Sequence, residues 1–339
     1  MLPASRPKIS IVTPSFNQGE FLEETILSIV NQGYPNLEYI IIDGGSIDQS
    51  VQIIKKYESQ LSYWVSERDT GQAQAINKGL KKCTGDIITW INSDDLLCEH
   101  ALENIATHFE KKPDVGVIFG DTILFWPNGR NLKKKVSTGG EPFKFFAGMS
   151  FSQPSSFFKR QVVDQIGLLD ETLHFGLDYD FFLRAACEFQ FLRVEETLSK
   201  YRLHSSSKTA SAPLQFALEW RMIFSKFVRT INQHSRLAQE MRELGLYMAG
   251  SDCYKTKKQF DEETSRKIYT YFLFYQIVFF YEGGDFKRAY DISCALKEWD
   301  LEFFKQNRIS ELSWRSRYLP AALIILFRRI KSVWPSFLL

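Results

Sequence analysis

Through residue 120, apolar positions switch between continuous runs and a helical spacing, the mark of strands alternating with amphipathic helices. Ile9-Ser10-Ile11-Val12 is a short β-rich run ended by Thr13-Pro14-Ser15. Phe21, Leu22, Thr25, Ile26, Ile29 and Val30 then recur at helical spacing. Leu37 to Asp43 is nearly continuous apolar sequence, as in a parallel strand covered on both faces. Asp48 to Tyr57 reads as a helix capped by Asp48, and Tyr63-Trp64-Val65 as a third strand. Gln72 to Lys82 (helix), Asp86 to Ile91 (strand), Glu99 to Lys111 (helix) and Val115 to Phe119 (strand) follow. This alternation predicts an α/β fold, doubly wound about a mostly parallel sheet.

The rhythm then breaks. Thr122 to Trp126, Pro127-Asn128-Gly129 and the basic run Lys133-Lys134-Lys135 predict a hairpin or an excursion from the sheet. Ser155 to Phe158 reads as a strand, Gln161 to Ile166 and Tyr179 to Cys187 as helices, and Leu198 to Leu203 closes this part. After Ser205-Ser206-Ser207 and Pro213 the pattern becomes helical, which places a boundary at 212: a first region over 1–212 and a helical C-terminal region over 213–339. Within the latter, Ile268 to Tyr281, the turn Glu282-Gly283-Gly284-Asp285 and the helix that follows form one hairpin, like a single tetratricopeptide unit. No second copy recurs at a fixed period, so there is no repeat array. The apolar run Pro320 to Phe327 is far below the ~18–20 residues that span a bilayer. Arg315, Arg317, Arg328, Arg329 and Lys331 flank it, with Trp334 and Phe337 beyond. Such a stretch over 315–339 can lie in a membrane interface or dock on the protein's own core, and the sequence leaves both open.

Composition narrows the chemistry. A formal net charge of +2 offers no case for nucleic acid as a partner. Cys83, Cys98, Cys187, Cys253 and Cys294 are scattered, without CxxC or a His/Cys cluster, so neither a zinc site nor a disulfide framework is expected. Reduced thiols and the lack of an apolar segment before Ile9 read as a cytoplasmic protein.

The chemistry concentrates at strand ends. Thr89-Trp90-Ile91-Asn92-Ser93-Asp94-Asp95 runs an apolar strand into paired carboxylates. Ligands of open α/β sheets bind at the carboxyl ends of strands. Adjacent carboxylates there suit a hard divalent cation that bridges to phosphates, although either Asp can also cap the next helix. The turn Asp43-Gly44-Gly45-Ser46-Ile47-Asp48 lets backbone approach a ligand and lets Asp43 accept from a nucleobase, or it is a plain strand–helix turn. Neither GxGxxG nor GxxxxGK[ST] occurs, so dinucleotide and NTPase fingerprints are absent.

Six motifs in order carry a resemblance: Thr13-Pro14-Ser15-Phe16-Asn17, the Asp43-to-Asp48 turn, Glu67-x-Asp69-x-Gly71-Gln72, Ala75-Ile76-Asn77-Lys78-Gly79, Gly85-Asp86 and Asn92-Ser93-Asp94-Asp95. Together they resemble the inverting glycosyltransferase family 2, with its GT-A fold, over residues 8–205. The resemblance implies that Pro14, Phe16 and Asn17 line a base pocket and that Asp43 contacts the base. Asp69, Gly71, Gln72 and Asn77 would lie near ribose and diphosphate, with Asn92, Ser93 and Asp94 also on the donor. Asp94 and Asp95 would hold Mn²⁺ or Mg²⁺. Two departures stand out: the family's common form has a second Asp where Gly44 stands, and an Asp where Asn92 stands.

Phe175-Gly176-Leu177-Asp178-Tyr179-Asp180 resembles the family's acidic motif at a helix start, with Leu177 in place of the usual Glu. Asp178 and Asp180 lie two apart and cannot share a helix face. Asp178 is the expected general base, and Asp180 the residue that caps the helix or pairs with Arg184. Tyr201-Arg202-Leu203-His204 resembles the family's Arg-x-His ending, which makes His204 a metal ligand and Arg202 a diphosphate contact, or His204 a packing residue. Ser152 to Ser156 would line the acceptor side.

The expected activity is transfer of a sugar from a nucleotide-diphosphate donor, UDP leading, to a hydroxyl acceptor in polysaccharide, cell-envelope glycan or glycolipid synthesis. A peripheral place on the cytoplasmic face of the membrane would suit a lipid-linked acceptor. A nucleotidyltransferase should carry a basic phosphate loop after the first strand, and Thr13 to Gln18 has no basic residue. The alternative is a non-catalytic nucleotide-sugar-binding or scaffold module that acts through its helical C-terminal region.

Overall fold

The computed structural model describes residues 6–134, 143–204, 207–231 and 235–324. The chain divides into two compact units, Met1–Gly140 with Met149–His204, and Glu141–Gly148 with Ser205–Leu339. The helical unit therefore takes in 141–148 as well as the residues after His204, where composition marks only the one transition at 212.

Through the first 111 residues run β1 (Ile9–Ser15), α1 (Leu22–Val30), β2 (Leu37–Asp43), α2 (Ser50–Lys56), β3 (Tyr63–Ser66), α3 (Gln72–Leu80), β4 (Ile87–Trp90), β5 (Leu96–Leu97) and α4 (Ala101–Lys111). Next come β6 (Val115–Phe125), β7 (Asn131–Lys134), α5 (Lys144–Ala147), β8 (Ser156–Lys159), α6 (Arg160–Ile166), α7 (Leu177–Glu188) and β9 (Gln190–Arg202). The strands build one sheet in the order β3-β2-β1-β4-β8-β6-β9-β5, with β7 paired to β6. The strands β1 to β4 pair in parallel. β8 lies antiparallel between β4 and β6, and β6 and β9 are parallel. The fully buried apolar runs explain this core: Ile9, Ile11 and Ile41 of the sheet close against Ile26 and Ile29 of α1 and Ile105 of α4.

Two elements differ from the sequence expectation. Val115–Phe119 and Thr122–Trp126 are not separate strands, because β6 runs on for 11 residues through register shifts between Phe119, Asp121 and Thr122. A Cβ at Gly120, in that bend, would stand 2.5 Å from the Glu196 carbonyl, so only glycine passes there. β9 begins at Gln190 rather than Leu198 and spans 13 residues. Its first half breaks up Phe191, Leu192 and Val194 with Gln190, Arg193 and Glu195, so it shows no apolar run.

At the amino ends of the strands, the buried Glu38 carboxylate ties β1, β2 and the loop before β4 together. It accepts from Ser10 Oγ (2.5 Å), Lys8 Nζ (2.7 Å), Thr84 N (2.6 Å) and Thr84 Oγ1 (2.6 Å). This stitching lies at the opposite end of the strands from the acidic turns.

The second unit adds α8 (Lys208–Ser211), α9 (Pro213–Ile231), α10 (Ser235–Glu243), α11 (Glu262–Glu282), α12 (Phe286–Trp299), α13 (Leu301–Gln306) and α14 (Ile309–Tyr318). Its aromatic richness is core: Phe224 stacks on Phe272 at 3.8 Å between centroids, and Phe146 of α5 stacks on Phe227 at 5.1 Å. The helical hairpin expected over 268–289 is α11 and α12. Gly284 turns it at φ +83, and the Asp285 side chain caps α12 by accepting from Arg288 N. No described helix is long and apolar enough to cross a membrane, and the basic aromatic stretch beyond Ile324 lies outside the described residues.

Candidate active site

The carboxyl ends of the four parallel strands gather the motifs. After β1 the chain turns at Asn17, whose φ of +51 is the left-handed conformation that Asn tolerates. Asn17 N donates to Ser46 Oγ (2.7 Å), and Asn17 Oδ1 accepts from Ile47 N (2.9 Å), so this loop is knitted to the turn after β2. Pro14 is buried in β1, whereas Phe16 stands 58% exposed beside it. Asn17 therefore ties the two turns together, and Phe16 presents an open ring.

Asp43 does not face outward. Its carboxylate, wholly buried at the end of β2, accepts from Gly45 N (3.1 Å), Ser46 N (2.9 Å), Ser46 Oγ (2.5 Å) and Ser66 Oγ (2.6 Å). These four donors fold the turn and join it to β3. The half-buried Asp69 lies above the turn instead, its Oδ1 accepting from Gly71 N at 2.9 Å. Burial pushes the Asp69 carboxyl up from its ordinary value, and the nearby Asp43 charge adds to that. Gly71 opens α3 at φ +137, and Gln72 Nε2 donates to Asn92 Oδ1 (2.8 Å), which links the β3 and β4 ends.

Asn77 belongs elsewhere. It is buried, donates from Nδ2 to Leu169 O (3.0 Å) and Glu171 Oε1 (2.9 Å), and accepts from Leu169 N (3.0 Å). It latches the 169–171 loop onto α3.

The acidic turn after β4 separates its two carboxylates. Asp95 is buried, with Oδ1 accepting from Arg202 N (3.2 Å) and Oδ2 from Asn92 Nδ2 (3.3 Å). Burial first, and then the Asp94 charge, pushes the Asp95 carboxyl well above the usual carboxylate range. Thr25 Oγ1 donates to the carbonyls of both Ser93 and Asp95 (2.9 Å each), so α1 holds the turn from beneath. Asp94 points the other way, its Oδ2 3.1 Å from His204 Nε2. The His204 ring packs on Phe21 at 4.9 Å between centroids.

Arg202 is a lock, not an exposed cation. Its guanidinium donates to Asp94 O (2.9 Å) and Glu24 Oε2 (2.5 Å) and lies over the rings of Phe21 (4.8 Å) and Phe125 (4.5 Å). These contacts fix Asp94 from behind.

Among the described residues no group of three His, Cys, Asp or Glu side chains gathers to hold a metal, so the expected trio of Asp94, Asp95 and His204 contracts to Asp94 and His204. These two still fit a divalent cation. Ligands ~2.1–2.2 Å from an octahedral ion stand ~3 Å apart along an edge, and such ions commonly take one or two side chains plus substrate phosphates.

Helix α7 is clamped to the acidic strand. Trp90, the last residue of β4, stacks with Phe182 (5.8 Å) and meets Phe181 edge-on (5.6 Å). Asp178 occupies the first turn of α7, half-buried. Asp180 is buried and pairs with Arg184 at 2.8 Å, whose other nitrogens donate to the carbonyls of Ile166 and Leu168. His174, just before α7, would lie 3.6 Å from a Cβ on Gly71, so it sits beside the turn that opens α3. The Ser152–Ser156 segment is largely internal: Gln153 donates to Trp90 O, and Ser155 joins Thr122 and Ser199 in a buried hydroxyl network. Sequence reading missed Thr25 and Ser66 as supports of the turns. For Thr25 the signal was present, a hydroxyl in the apolar stripe of α1.

The family model for glycosyl transferase family 2 matches residues 10–175. An uncharacterized glycosyltransferase of Mycobacterium tuberculosis is 32% identical over 192 residues, 54% of this chain and 71% of its own. The chain belongs to glycosyltransferase family 2. The poly(ribitol-phosphate) beta-N-acetylglucosaminyltransferase TarP of Staphylococcus aureus is 31% identical over 170 residues, 47% of this chain and 50% of TarP. In fold, the chain is similar to S. aureus TarS 1–349 crystallised with UDP-GlcNAc, with a TM-score of 0.60 at 15% identity over 92% of this chain and 93% of that one. It is also similar to the mannosyltransferase PcManGT of Pyrobaculum calidifontis in complex with GDP-Man and Mn²⁺, with a TM-score of 0.54 at 16% identity over 99% and 83%. The fold is thus the GT-A fold, a mixed α/β sheet followed by helices.

Proposed function

We propose that this family 2 glycosyltransferase moves a sugar, with inversion, from a UDP-sugar to a hydroxyl acceptor in a cell-envelope glycan or glycolipid. One observation carries the reading: Asp94 and His204 stand 3.1 Å apart at the end of β4, held from behind by the buried Arg202. TarS with UDP-GlcNAc, and TarP by its name, support the donor and a polymer acceptor. Asp94 and His204 would hold Mn²⁺ or Mg²⁺, a choice that PcManGT with Mn²⁺ supports. Such a cation, when bound, offsets charge that grows on a departing diphosphate.

The chain's own groups do the rest. The exposed Phe16 ring offers a stacking face to a base. Gly71 and Gln72 form the floor on the ribose–diphosphate side, and Asn92 is held by Gln72. Asp178 takes the proton from the acceptor hydroxyl as its oxygen attacks the anomeric carbon, on the side opposite the departing diphosphate. One displacement inverts the carbon, with no covalent sugar–enzyme bond. Alignment of donor and acceptor supplies much of the remaining rate. Trp314 and Tyr318, exposed on α14 beside Arg315 and Arg317, support a peripheral place on the cytoplasmic membrane face.

Calorimetric titration of UDP-, GDP- and dTDP-sugars, with and without Mn²⁺, tests this. Metal-dependent binding of a UDP-sugar that weakens at least 10-fold in Asp94→Asn is expected. Asp178→Asn should retain donor affinity and lose turnover. Absence of binding to any donor by folded protein would defeat the proposal and favour a scaffold module.

A further inference from the structure

The strands β6 and β7 meet in a tight tip, Trp126-Pro127-Asn128-Gly129-Arg130, to which the reaction proposed above gives no role. Trp126 N donates to Arg130 O (3.0 Å), Gly129 N to Trp126 O (3.0 Å) and Arg130 N to Asn128 Oδ1 (3.1 Å), and Gly129 turns at φ +82. The tip is a closed turn. On it the Arg130 guanidinium lies 4.8 Å from the centre of the Trp126 ring. Among the described residues, no carboxylate stands within ion-pair distance of that guanidinium and no acceptor takes a hydrogen bond from it.

Strand pairing places this tip. β8 is antiparallel to both β4 and β6, so β6 ends on the same side of the sheet as β4, whose turn carries Asp94. Leu203 N donates to Phe125 O (2.9 Å), which sets Trp126 beside the Leu203-His204 segment. Leu198 packs in the core with Ile26 and Ile29 of α1, and Arg202, four residues on, shares its face and reaches Phe21 and Glu24. Phe125 is in register with Arg202 and lies against it, so Trp126, the next residue, takes the opposite face. Trp90 holds α7 on that face, while its neighbour Ile91 joins the α1 core. α7 ends at Glu188, just before β9 begins at Gln190, so its first turn, with Asp178, lies toward the carboxyl ends of the strands. The tip thus shares both its face and its end of the sheet with Asp178.

The acids at this end, Asp69, Asp94 and Asp178, repel an anionic acceptor. A guanidinium offsets that repulsion, and its planar fork grips an oxyanion through two parallel N–H groups. Resting on the transfer proposed above, we infer that the β6–β7 tip is an acceptor subsite: Arg130, braced by Trp126, binds an anionic group of a glycan acceptor whose hydroxyl is presented to Asp178. A phosphate and a carboxylate on the sugar share this chemistry.

Titration of the full chain with glucose 6-phosphate, glucuronate and glucose, followed by ligand-observed NMR, tests this, with UDP and Mn²⁺ titrated in parallel. At least one anionic sugar should bind about 10-fold tighter than glucose, the scale of one charged hydrogen bond. Arg130→Gln should remove that preference and leave UDP affinity and melting temperature unchanged. Trp126→Leu should remove part of it, because the guanidinium loses its brace. Lys200 is an exposed cation in register with Ile123 on the opposite face, so Lys200→Gln should keep the preference. A preference for glucose 6-phosphate identifies a phosphate-bearing acceptor, and one for glucuronate a carboxylate-bearing acceptor. Equal binding of charged and neutral sugars by wild type, or binding of none, overturns the inference. A preference that survives Arg130→Gln overturns it too, and if that variant also melts lower, Arg130 is only a brace for the hairpin. If wild type binds no UDP while Arg130 still selects anionic sugars, the donor reading alone has failed.

Discussion

Replacing Glu38 with Gln removes the charge that stitches the amino ends of β1 and β2, far from the acidic turns. Burial raises the Glu38 carboxyl, but the hydrogen bonds from Lys8, Ser10 and Thr84 outweigh it and hold it at about 2, against an ordinary 4.5. Each tenfold change in the proton equilibrium is worth about 1.4 kcal/mol, so the ionised carboxylate contributes on the order of 3 kcal/mol to folding. The sign follows from the depressed value. The contribution is complete above the unfolded value near 4.5 and is lost as pH falls from there toward 2. Urea unfolding of wild type and Glu38→Gln at pH 7 should differ by ~2–3 kcal/mol, and the gap should shrink by about 2 kcal/mol at pH 3. Salt should matter little, because three of the four hydrogen bonds come from Ser10 and Thr84 rather than from the half-buried Lys8. Donor affinity of the folded variant should equal that of wild type. A gap at pH 7 below about 0.5 kcal/mol, or one that stays constant into acid, would refute the reasoning.

Arg202→Met keeps a long side chain between Phe21 and Phe125 but deletes the donors to Asp94 O and Glu24. It should lower stability by ~1–3 kcal/mol and weaken metal-dependent donor binding together. Weaker binding at an unchanged melting temperature would return Arg202 to the diphosphate. Asn77→Asp sets a carboxylate against Glu171 and removes both Nδ2 donors, so it should destabilise by a similar ~1–3 kcal/mol in thermal or urea unfolding. Its folded fraction should bind donor like wild type in calorimetry, and a selective loss of affinity would contradict the latch.

Local chemistry was legible in the sequence. The strand–helix alternation through α4, the turn residues after each parallel strand and the four-residue spacing of Asp180 and Arg184 are properties of short windows. Each depends on backbone periodicity or on neighbours one turn away. The helical hairpin of α11 and α12 was legible for the same reason.

What the tertiary structure decided is which way each acidic residue faces. Asp94 and Asp95 are adjacent and chemically identical, yet one meets His204 and the other is buried against the backbone of Arg202, 107 residues on in the chain. Asp43 turned inward because Ser66, on another strand, completes its set of donors, and Asp69 then took the space that Gly44 leaves. A carboxylate's side-chain torsion is settled by whichever distant donors the fold delivers, and desolvation makes the buried choice costly unless they all arrive. Sequence by itself determined that acids stand at the strand ends; the packing of β9, α1 and β3 around them decided which remain available for chemistry.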